Sequence, residues 1–277
     1  MRGYLELLRP WNCVIAALAI LIGAAIAVGA GNLGGSALGV SLVVLAGFVF
    51  TGAGNALNDF FDRESDRVNH PSRPIPSGRV APGNAVVLAS VLFFVALLAG
   101  AGAGPFSLVI VIVNMAAMVS YEVHFKRRGL SGNLVISWLV ASLFIFGGAA
   151  VYSASANSLP RVAWLGLLAF LATLGREIVK DIEDAAGDID RATLPKTAGV
   201  EKAGFLAAVS FVIGVALSPL PFTSGVLGVS YLALIVLADG IFIYCAWFSA
   251  LRPSQVSRAA KYGMVIALIA FLAGGAL

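Results

Sequence analysis

Two groups of acidic residues recur in this chain with the same internal spacing, each at the end of a long apolar stretch. The groups, 122 residues apart, are Asp59, Asp62 and Asp66, and Asp181, Asp184 and Asp188. On an α-helix, which turns about 100° per residue, positions i, i+3 and i+7 lie within roughly 60° of one another. At an effective dielectric constant of about 20, like charges about 7 Å apart repel by roughly 2 kcal/mol per pair. A cation held between the two groups would relieve this repulsion.

Each acidic group belongs to a polar stripe on an otherwise apolar helix. The first stripe also contains Asn55 and Asn58, and the second also contains Glu177 and Lys180. Carboxylate and amide oxygens suit hard cations such as Mg²⁺ better than zinc or copper. Because Mg²⁺ usually takes one or two carboxylates together with substrate phosphate oxygens, the pattern predicts a site for a magnesium-bound diphosphate.

Basic residues cluster in the same stretches and are candidates for binding phosphate. They are Arg63, Arg67, Arg73, Arg79, Lys126, Arg127, Arg128, Arg176 and Lys180. Arginine can bind phosphate through two parallel hydrogen bonds, whereas lysine supplies a point charge. For most of these residues, a role as loop charges that fix membrane topology is an equal explanation. Arg176 and Lys180 differ from the others because they lie on the acidic helix itself.

The elements that must position these residues are membrane-spanning helices. The chain of 277 residues is 60% hydrophobic and 12% charged, with a mean hydropathy of +0.96, which excludes an ordinary soluble core. Apolar runs long enough to cross about 30 Å of hydrocarbon predict an all-α polytopic membrane protein with nine helices around a central cavity. The predicted spans are 12–30, 36–57, 84–103, 106–121, 132–152, 160–180, 202–220, 226–249 and 259–276. The narrowest break between two spans lies at Gly102 to Pro105.

The placement of basic residues predicts the orientation of the helices. Of 18 Lys and Arg residues, only Arg161 falls on the side reached by the odd-numbered helices, so the positive-inside rule places the acidic ends in the cytoplasm. The offset of 122 residues also aligns helices 1 to 4 with helices 5 to 8 and leaves helix 9 over. Because an even number of spans separates the copies, we predict a parallel repeat within one domain covering residues 1–277. The expected location is the cell membrane.

Four segments of the sequence resemble the UbiA-type intramembrane prenyltransferase family. They are NDFFDRESD at 58–66, RPIPSGR at 73–79, YEVHFKR at 121–127 and KDIEDAAGD at 180–188. The resemblance implies a nine-span helical fold that transfers a prenyl group from an allylic diphosphate. It also implies a set of magnesium ligands, which are Asn58, Asp62, Asp66, Asp181, Asp184 and Asp188.

The resemblance further implies roles in catalysis and substrate binding. The residues expected to act in catalysis are Asp62, Asp66, Asp184, Asp188 and Arg63. Arg63 would neutralise the departing diphosphate together with Lys126 and Arg127. The substrate-binding candidates are Asn55, Asp59, Arg67, Arg73, Lys126, Arg127, Arg176, Lys180 and, in the first-helix sequence RPWN, Asn12.

Within the family, the segment GREIVKDIEDAAGD followed by TLP at 193–195 is most similar to the archaeal digeranylgeranylglyceryl phosphate synthases. This similarity implies transfer of a geranylgeranyl group to the hydroxyl of geranylgeranylglyceryl phosphate, a step of membrane-lipid biosynthesis. An aromatic acceptor, as in quinone, haem or chlorophyll precursor synthesis, is the alternative within the family. A divalent cation transporter is the alternative outside it, although the apolar outer halves of helices 2 and 6 disfavour transport. We expect no nucleic-acid partner.

Overall fold

The computed structural model describes residues 2–152, 155, 157–185 and 192–275, and the backbone alone of Arg127. Nine helices in this part of the chain are long and apolar enough to cross a membrane, as predicted. These helices are α2 (Pro10–Val28), α3 (Ala37–Phe61), α5 (Pro82–Ala103), α6 (Pro105–Val123), α7 (Leu130–Ala150), α8 (Ser158–Asp184), α10 (Val200–Leu217), α12 (Val229–Phe248) and α13 (Pro253–Gly275). The shorter α-helices are α1 (Arg2–Leu8), α4 (Arg63–Asn69), α9 (Leu194–Ala198) and α11 (Leu220–Thr223), and 3₁₀ helices cover Ala30–Ser36 and Phe125–Arg127.

Proline and glycine set several of the helix boundaries. Pro10, Pro82 and Pro105 stand in the first turn of α2, α5 and α6. Backbone N–H groups in the first turn of a helix have no acceptor within the helix, so proline, which lacks an N–H, is tolerated there. Gly104 separates α5 from α6 with a φ of 132°, a conformation that a side chain disfavours. The break predicted between these two spans is therefore confirmed.

Helix α2 packs against α3, α7, α8 and α13. Its approach to α7 is very close because glycines face the opposite backbone. A Cβ on Gly23 would lie 2.5 Å from the carbonyl oxygen of Phe144, and a Cβ on Gly147 would collide with the backbone of Ile20 and Ala24. Small residues of this kind allow van der Waals packing between membrane helices, where the hydrophobic effect gives little drive. This contact fixes α7 within the bundle.

The outside of the bundle is apolar. Large side chains such as Trp11, Phe94, Phe205 and Trp247 are each at least 60% exposed. Exposed apolar surface on this scale requires a bilayer around it, and the protein is an integral membrane protein. The parallel repeat and the single-domain assignment stay predictions.

An apolar cavity lies between α2, α7, α8, α10, α12 and α13. Its empty volume is about 860 Å³, including space that is open to the surroundings. Two of the residues that line it, Ser218 and Asp239, have polar side chains.

Candidate active site

The first acidic group lies where α3 passes into α4. Helix α3 ends at Phe61, and Asp62 follows with a φ of −84° and a ψ of 0°. The N–H of Asp62 donates to the carbonyl of Asn58 at 2.9 Å, and the N–H of Asp66 donates to the carbonyl of Asp62 at 2.8 Å. Because these bonds keep the helical i to i−4 pattern, α4 continues close to the direction of α3. The acidic side chains therefore stay on neighbouring faces.

Two of these aspartates are buried and bound by arginines. Arg9, immediately before α2, forms a very short ion pair with Asp59. Arg73, from the turn after α4, donates to Asp66 at 2.7 Å and lies 3.9 Å from Asp59. Arg9 has a φ of 50°, and it is the one non-glycine residue with positive φ in the described part of the chain. The aspartates hold the N-terminal segment and the 70–81 turns against the end of α3.

Asp62 faces a second network that reaches α6. Lys126 Nζ lies 2.9 Å from Asp62 Oδ1 and 2.8 Å from Glu122 Oε2. Asn58 donates from Nδ2 to Glu122 Oε1 at 2.8 Å. The Lys126 and Glu122 side chains are 7% and 0% exposed, so the ammonium group is held between two carboxylates with little access for solvent. The Lys126 ammonium also lies 5.6 Å from the centre of the Tyr121 ring.

The second acidic group lies at the end of α8. Asn133, in the first turn of α7, donates from Nδ2 to Asp181 Oδ2 at 2.9 Å. Asp184 is the last residue of α8 and is exposed, as is Lys180. Asp188, a predicted metal ligand and catalytic residue, lies outside the described residues.

The two acidic helix ends lie at the same end of the bundle and are joined by residues 122–133. This segment holds Asp62 through Lys126 at one end and Asp181 through Asn133 at the other. Within it, a Cβ on Gly132 would lie 2.9 Å from the carbonyl oxygen of Phe125, so the chain is tightly folded between these two residues. The N–H of Gly129 donates to Ala192 at 2.8 Å, which ties in the chain that follows α8. Helix α7 packs along α8 and also contacts α3.

Other predicted site residues have defined places. Asn55 donates to the backbone carbonyl of Leu8 at 2.9 Å and so anchors α1. Arg63 lies over the Phe60 ring, with 4.6 Å from its guanidinium carbon to the ring centre. Arg67 is exposed and pairs with Glu64.

Three predicted residues remain. Arg176 forms a very short ion pair with Glu177 on α8. Asn12 is exposed in the first turn of α2. The side chain of Arg127 lies outside the described part of the structure.

Sequence reasoning missed three residues that organise the site. Glu122 was detectable, because it is a lone carboxylate in an apolar span with a lysine four residues later, the spacing of a helical ion pair. Arg9, although it begins the first-helix sequence RPWN, carries no local signal that points to its partner, and Asn133 carries no comparable signal. Their partners, Asp59 and Asp181, are 50 and 48 residues away in the chain.

The described acidic residues do not form a closed metal cage. No group of three Asp, Glu, His or Cys side chains in residues 2–152, 155, 157–185 and 192–275 is placed to hold a metal ion by itself. The available donors are carboxylate and amide oxygens, which match the preference of Mg²⁺. Mg²⁺ commonly relies on one or two carboxylates and completes its coordination with water and substrate phosphate, so this donor set fits it.

Comparison with known proteins decides the family. The model of the UbiA prenyltransferase family matches residues 16–273. The chain belongs to the UbiA prenyltransferase family. The family membership that the four sequence segments predicted is thereby confirmed.

The relatives of this UbiA family member are similar over their full length. It is 40% identical to the digeranylgeranylglyceryl phosphate synthase of Methanothermobacter thermautotrophicus, covering 99% of this chain and 96% of the relative. It is 41% identical to the enzyme of the same name from Methanopyrus kandleri, covering 99% of both chains.

Solved structures agree with this fold. A structure from work on digeranylgeranylglyceryl phosphate synthase in membranes is 34% identical, with a TM-score of 0.82 over 99% of this chain and 98% of that one. A UbiA homologue from Archaeoglobus fulgidus, bound to GPP and Mg²⁺, has a TM-score of 0.58 at 16% identity, over 96% of this chain and 99% of that one. At that identity the second likeness supports the fold alone.

Proposed function

We propose that this protein transfers a geranylgeranyl group from geranylgeranyl diphosphate to the free hydroxyl of geranylgeranylglyceryl phosphate, with the aid of Mg²⁺. The observation that carries the proposal is the identity of about 40%, along almost the whole chain, to proteins named digeranylgeranylglyceryl phosphate synthase. The geometry supports it, because two acidic helix ends meet at one end of an apolar bundle. We further propose that this end faces the cytoplasm and that the protein resides in the cell membrane.

Asp62 and Asp184 are the carboxylates best placed to hold Mg²⁺ together with a diphosphate. Asp62 has a side chain that is 16% exposed, and Asp184 is exposed at the end of α8. Asn58 and Asp181 stand beside them, and Asp66 and Asp188 complete the predicted ligand set. Bound there, Mg²⁺ would supply positive charge that stabilises the negative charge gathering on the departing diphosphate.

Lys126 supplies a fixed positive charge at the same place. Its ammonium group is held by Asp62 and Glu122, so it need not reorganise when the diphosphate leaves, which is the condition for electrostatic catalysis. Asn58 orients Glu122, and Asn133 orients Asp181. Arg63 and Arg127 are the further residues that we expect to neutralise the diphosphate.

The reaction exchanges one carbon–oxygen bond for another. The bond between the allylic carbon and the diphosphate oxygen breaks, and both electrons leave with the diphosphate. The acceptor hydroxyl oxygen then bonds to the cationic allylic carbon and forms an ether. The hydroxyl proton passes to a nearby carboxylate or to a diphosphate oxygen. Apolar side chains around the prenyl chain keep water from the cationic carbon, so that the cation reacts with the acceptor and not with water. The reaction requires no covalent link between the prenyl group and the protein.

Arg9 and Arg73 are suited to the phosphate of the acceptor. Their carboxylate partners, Asp59 and Asp66, are buried, whereas about a third of each arginine side chain is exposed (34% and 32%). Guanidinium groups bind phosphate in a planar, two-bond geometry. A phosphate-bearing acceptor therefore fits this end of the bundle better than an uncharged one.

The test is product analysis with purified protein. Geranylgeranyl diphosphate is supplied with either geranylgeranylglyceryl phosphate or hydroxybenzoate, with Mg²⁺ or with excess chelator, and products are identified by mass spectrometry. We expect the diether phosphate from the first acceptor, no product from the second, and loss of activity on chelation that added Mg²⁺ restores. Prenylated hydroxybenzoate alone would assign an aromatic acceptor instead. Activity that survives thorough chelation would show that the metal role is wrong.

A further inference from the structure

The wall of the apolar cavity carries a polar pair, the buried Ser218 and the partly buried Asp239. Ser218, at the end of α10, donates from its hydroxyl to Asp239 Oδ2 at 2.7 Å. Tyr231 donates from its hydroxyl to the backbone carbonyl of Ser218 at 2.6 Å, which fixes the backbone position of Ser218. Asp239 lies near the middle of α12, and an ionisable residue at such a depth in a membrane helix is costly to keep there. The proposed reaction chemistry gives Asp239 no role.

The cavity begins a short distance inward from the second acidic group. Val140 lies on its wall, seven residues along α7 from Asn133, and Ala172 lies on its wall nine residues along α8 from Asp181. At 1.5 Å per residue these intervals are about 10 and 14 Å. A diphosphate held at Asp181 would therefore place the first part of its isoprenoid chain above the cavity and the remainder inside it.

The position of the cavity in the bundle indicates that its occupant is the isoprenoid chain of the diphosphate donor. The cavity is lined by α8 and its neighbours, whereas α3, α5 and α6 contribute no lining residue among those described. Arg9 and Arg73, to which the acceptor phosphate is assigned, belong to the α3 end of the site. The diphosphate is assigned to Asp62 and Asp184 together, and Asp184 lies at the α8 end, so the isoprenoid chain attached to the diphosphate is the one that can continue from there into the cavity.

A polar pair on the wall of an apolar cavity limits what an apolar chain can cover. Covering a carboxyl or hydroxyl group with hydrocarbon costs free energy, because the group can then make fewer hydrogen bonds. The hydrocarbon gains no compensating free energy from the contact. Apolar side chains line the rest of the described wall, from Ile15 and Phe144 to Phe271, and they accept the chain without such a penalty. Ser218 follows Leu217, the last residue of α10, at the opposite end of that helix from Val200, which comes soon after the end of α8 in the chain. The favourable length of an isoprenoid chain that enters from the α8 end is therefore limited by the polar pair.

We propose that Asp239, held by Ser218, determines the length of the isoprenoid donor that this protein accepts. The inference rests on the proposed prenyl transfer and adds a specificity-determining residue remote from the reacting atoms. It requires the protein to select geranylgeranyl diphosphate over the donor that is one isoprene unit longer.

The test compares kcat/KM for farnesyl, geranylgeranyl and geranylfarnesyl diphosphates with a fixed acceptor. We expect the wild-type protein to prefer geranylgeranyl over geranylfarnesyl diphosphate by at least about tenfold. In Asp239→Leu, the ratio of geranylfarnesyl to geranylgeranyl kcat/KM should rise by at least about tenfold, since each buried methylene contributes about fourfold. Asp239→Asn keeps a polar group of the same shape and should leave that ratio within about twofold of wild type. Val236→Ala, on the lipid-exposed side of α12, is the matched control.

Several results would overturn the inference. One is an unchanged ratio in a folded Asp239→Leu protein, and another is an Asp239→Asn ratio that moves as far as that of the leucine variant. If the leucine variant does not fold, Asp239→Ala replaces it and is expected to shift the ratio in the same direction. A shift in preference for the acceptor chain instead of the donor chain would also refute it. If the wild-type protein transfers no prenyl group from any donor, the proposed function itself is wrong, a result that differs from transfer without length selection.

Discussion

Replacing Asp62 by Asn tests the metal site with little change in shape. The side-chain oxygen of Asn can still accept from Lys126 Nζ, which lies 2.9 Å from Asp62 Oδ1, and Lys126 keeps its contact with Glu122. The loss of stability should therefore be about 1–2 kcal/mol, because the Lys126 ammonium still donates a hydrogen bond but no longer faces the charge of Asp62. The protein should remain folded.

The loss of activity in Asp62→Asn should be much larger. One unit charge about 4 Å from another contributes about 4 kcal/mol at an effective dielectric constant of 20. A fall of at least about a hundredfold in kcat/KM corresponds to about 2.7 kcal/mol of transition-state stabilisation, which is within what one carboxylate charge can supply.

The assay is transfer of labelled geranylgeranyl diphosphate to geranylgeranylglyceryl phosphate by purified protein in detergent. Glu183→Gln removes an exposed charge beside Asp184 at the same end of the bundle and should retain activity within about twofold of wild type. Circular dichroism and thermal unfolding report whether each variant is folded. Turnover of folded Asp62→Asn within about threefold of wild type would refute the assignment of Asp62 as a metal ligand.

Three further changes have defined outcomes. Lys126→Met removes the ammonium group between the buried Glu122 and the partly exposed Asp62 and should lower the free energy of unfolding by about 3–5 kcal/mol. Thermal unfolding should show part of this loss recovered when Glu122→Gln is added, and no recovery would argue against the network. Asn133→Ala removes the hydrogen bond that orients Asp181 and should lower kcat/KM, measured by product formation, about tenfold. Unchanged turnover would show that Asn133 does not position Asp181 for the reaction. Gly147→Ala forces a methyl group against the α2 backbone and should lower the free energy of unfolding by about 1–3 kcal/mol, seen as a lower unfolding temperature, whereas equal stability would show that the helices can separate freely.

Much of the acidic site was predictable from the chain, but its internal pairing was not. The spacing of Asp59, Asp62 and Asp66 placed them on one side of a helix, and the structure keeps them on neighbouring faces. It then divides them, because Asp59 and Asp66 turn toward arginines while Asp62 turns toward Lys126. Which neighbour each carboxylate meets depends on the rotation of α3 against α6 and on the 70–81 turns.

The sequence by itself determined the nine spans, the break between Gly102 and Pro105 and the two acidic helix ends, because hydropathy and the conformational limits of proline and glycine act locally along the chain. Only the tertiary structure decided that Asn133 supports Asp181 and that Asp239 meets Ser218 inside an apolar cavity. Such contacts join helices that are distant in the chain. They depend on how closely and at what rotation the helices pack, and the pattern within one helix does not contain that information.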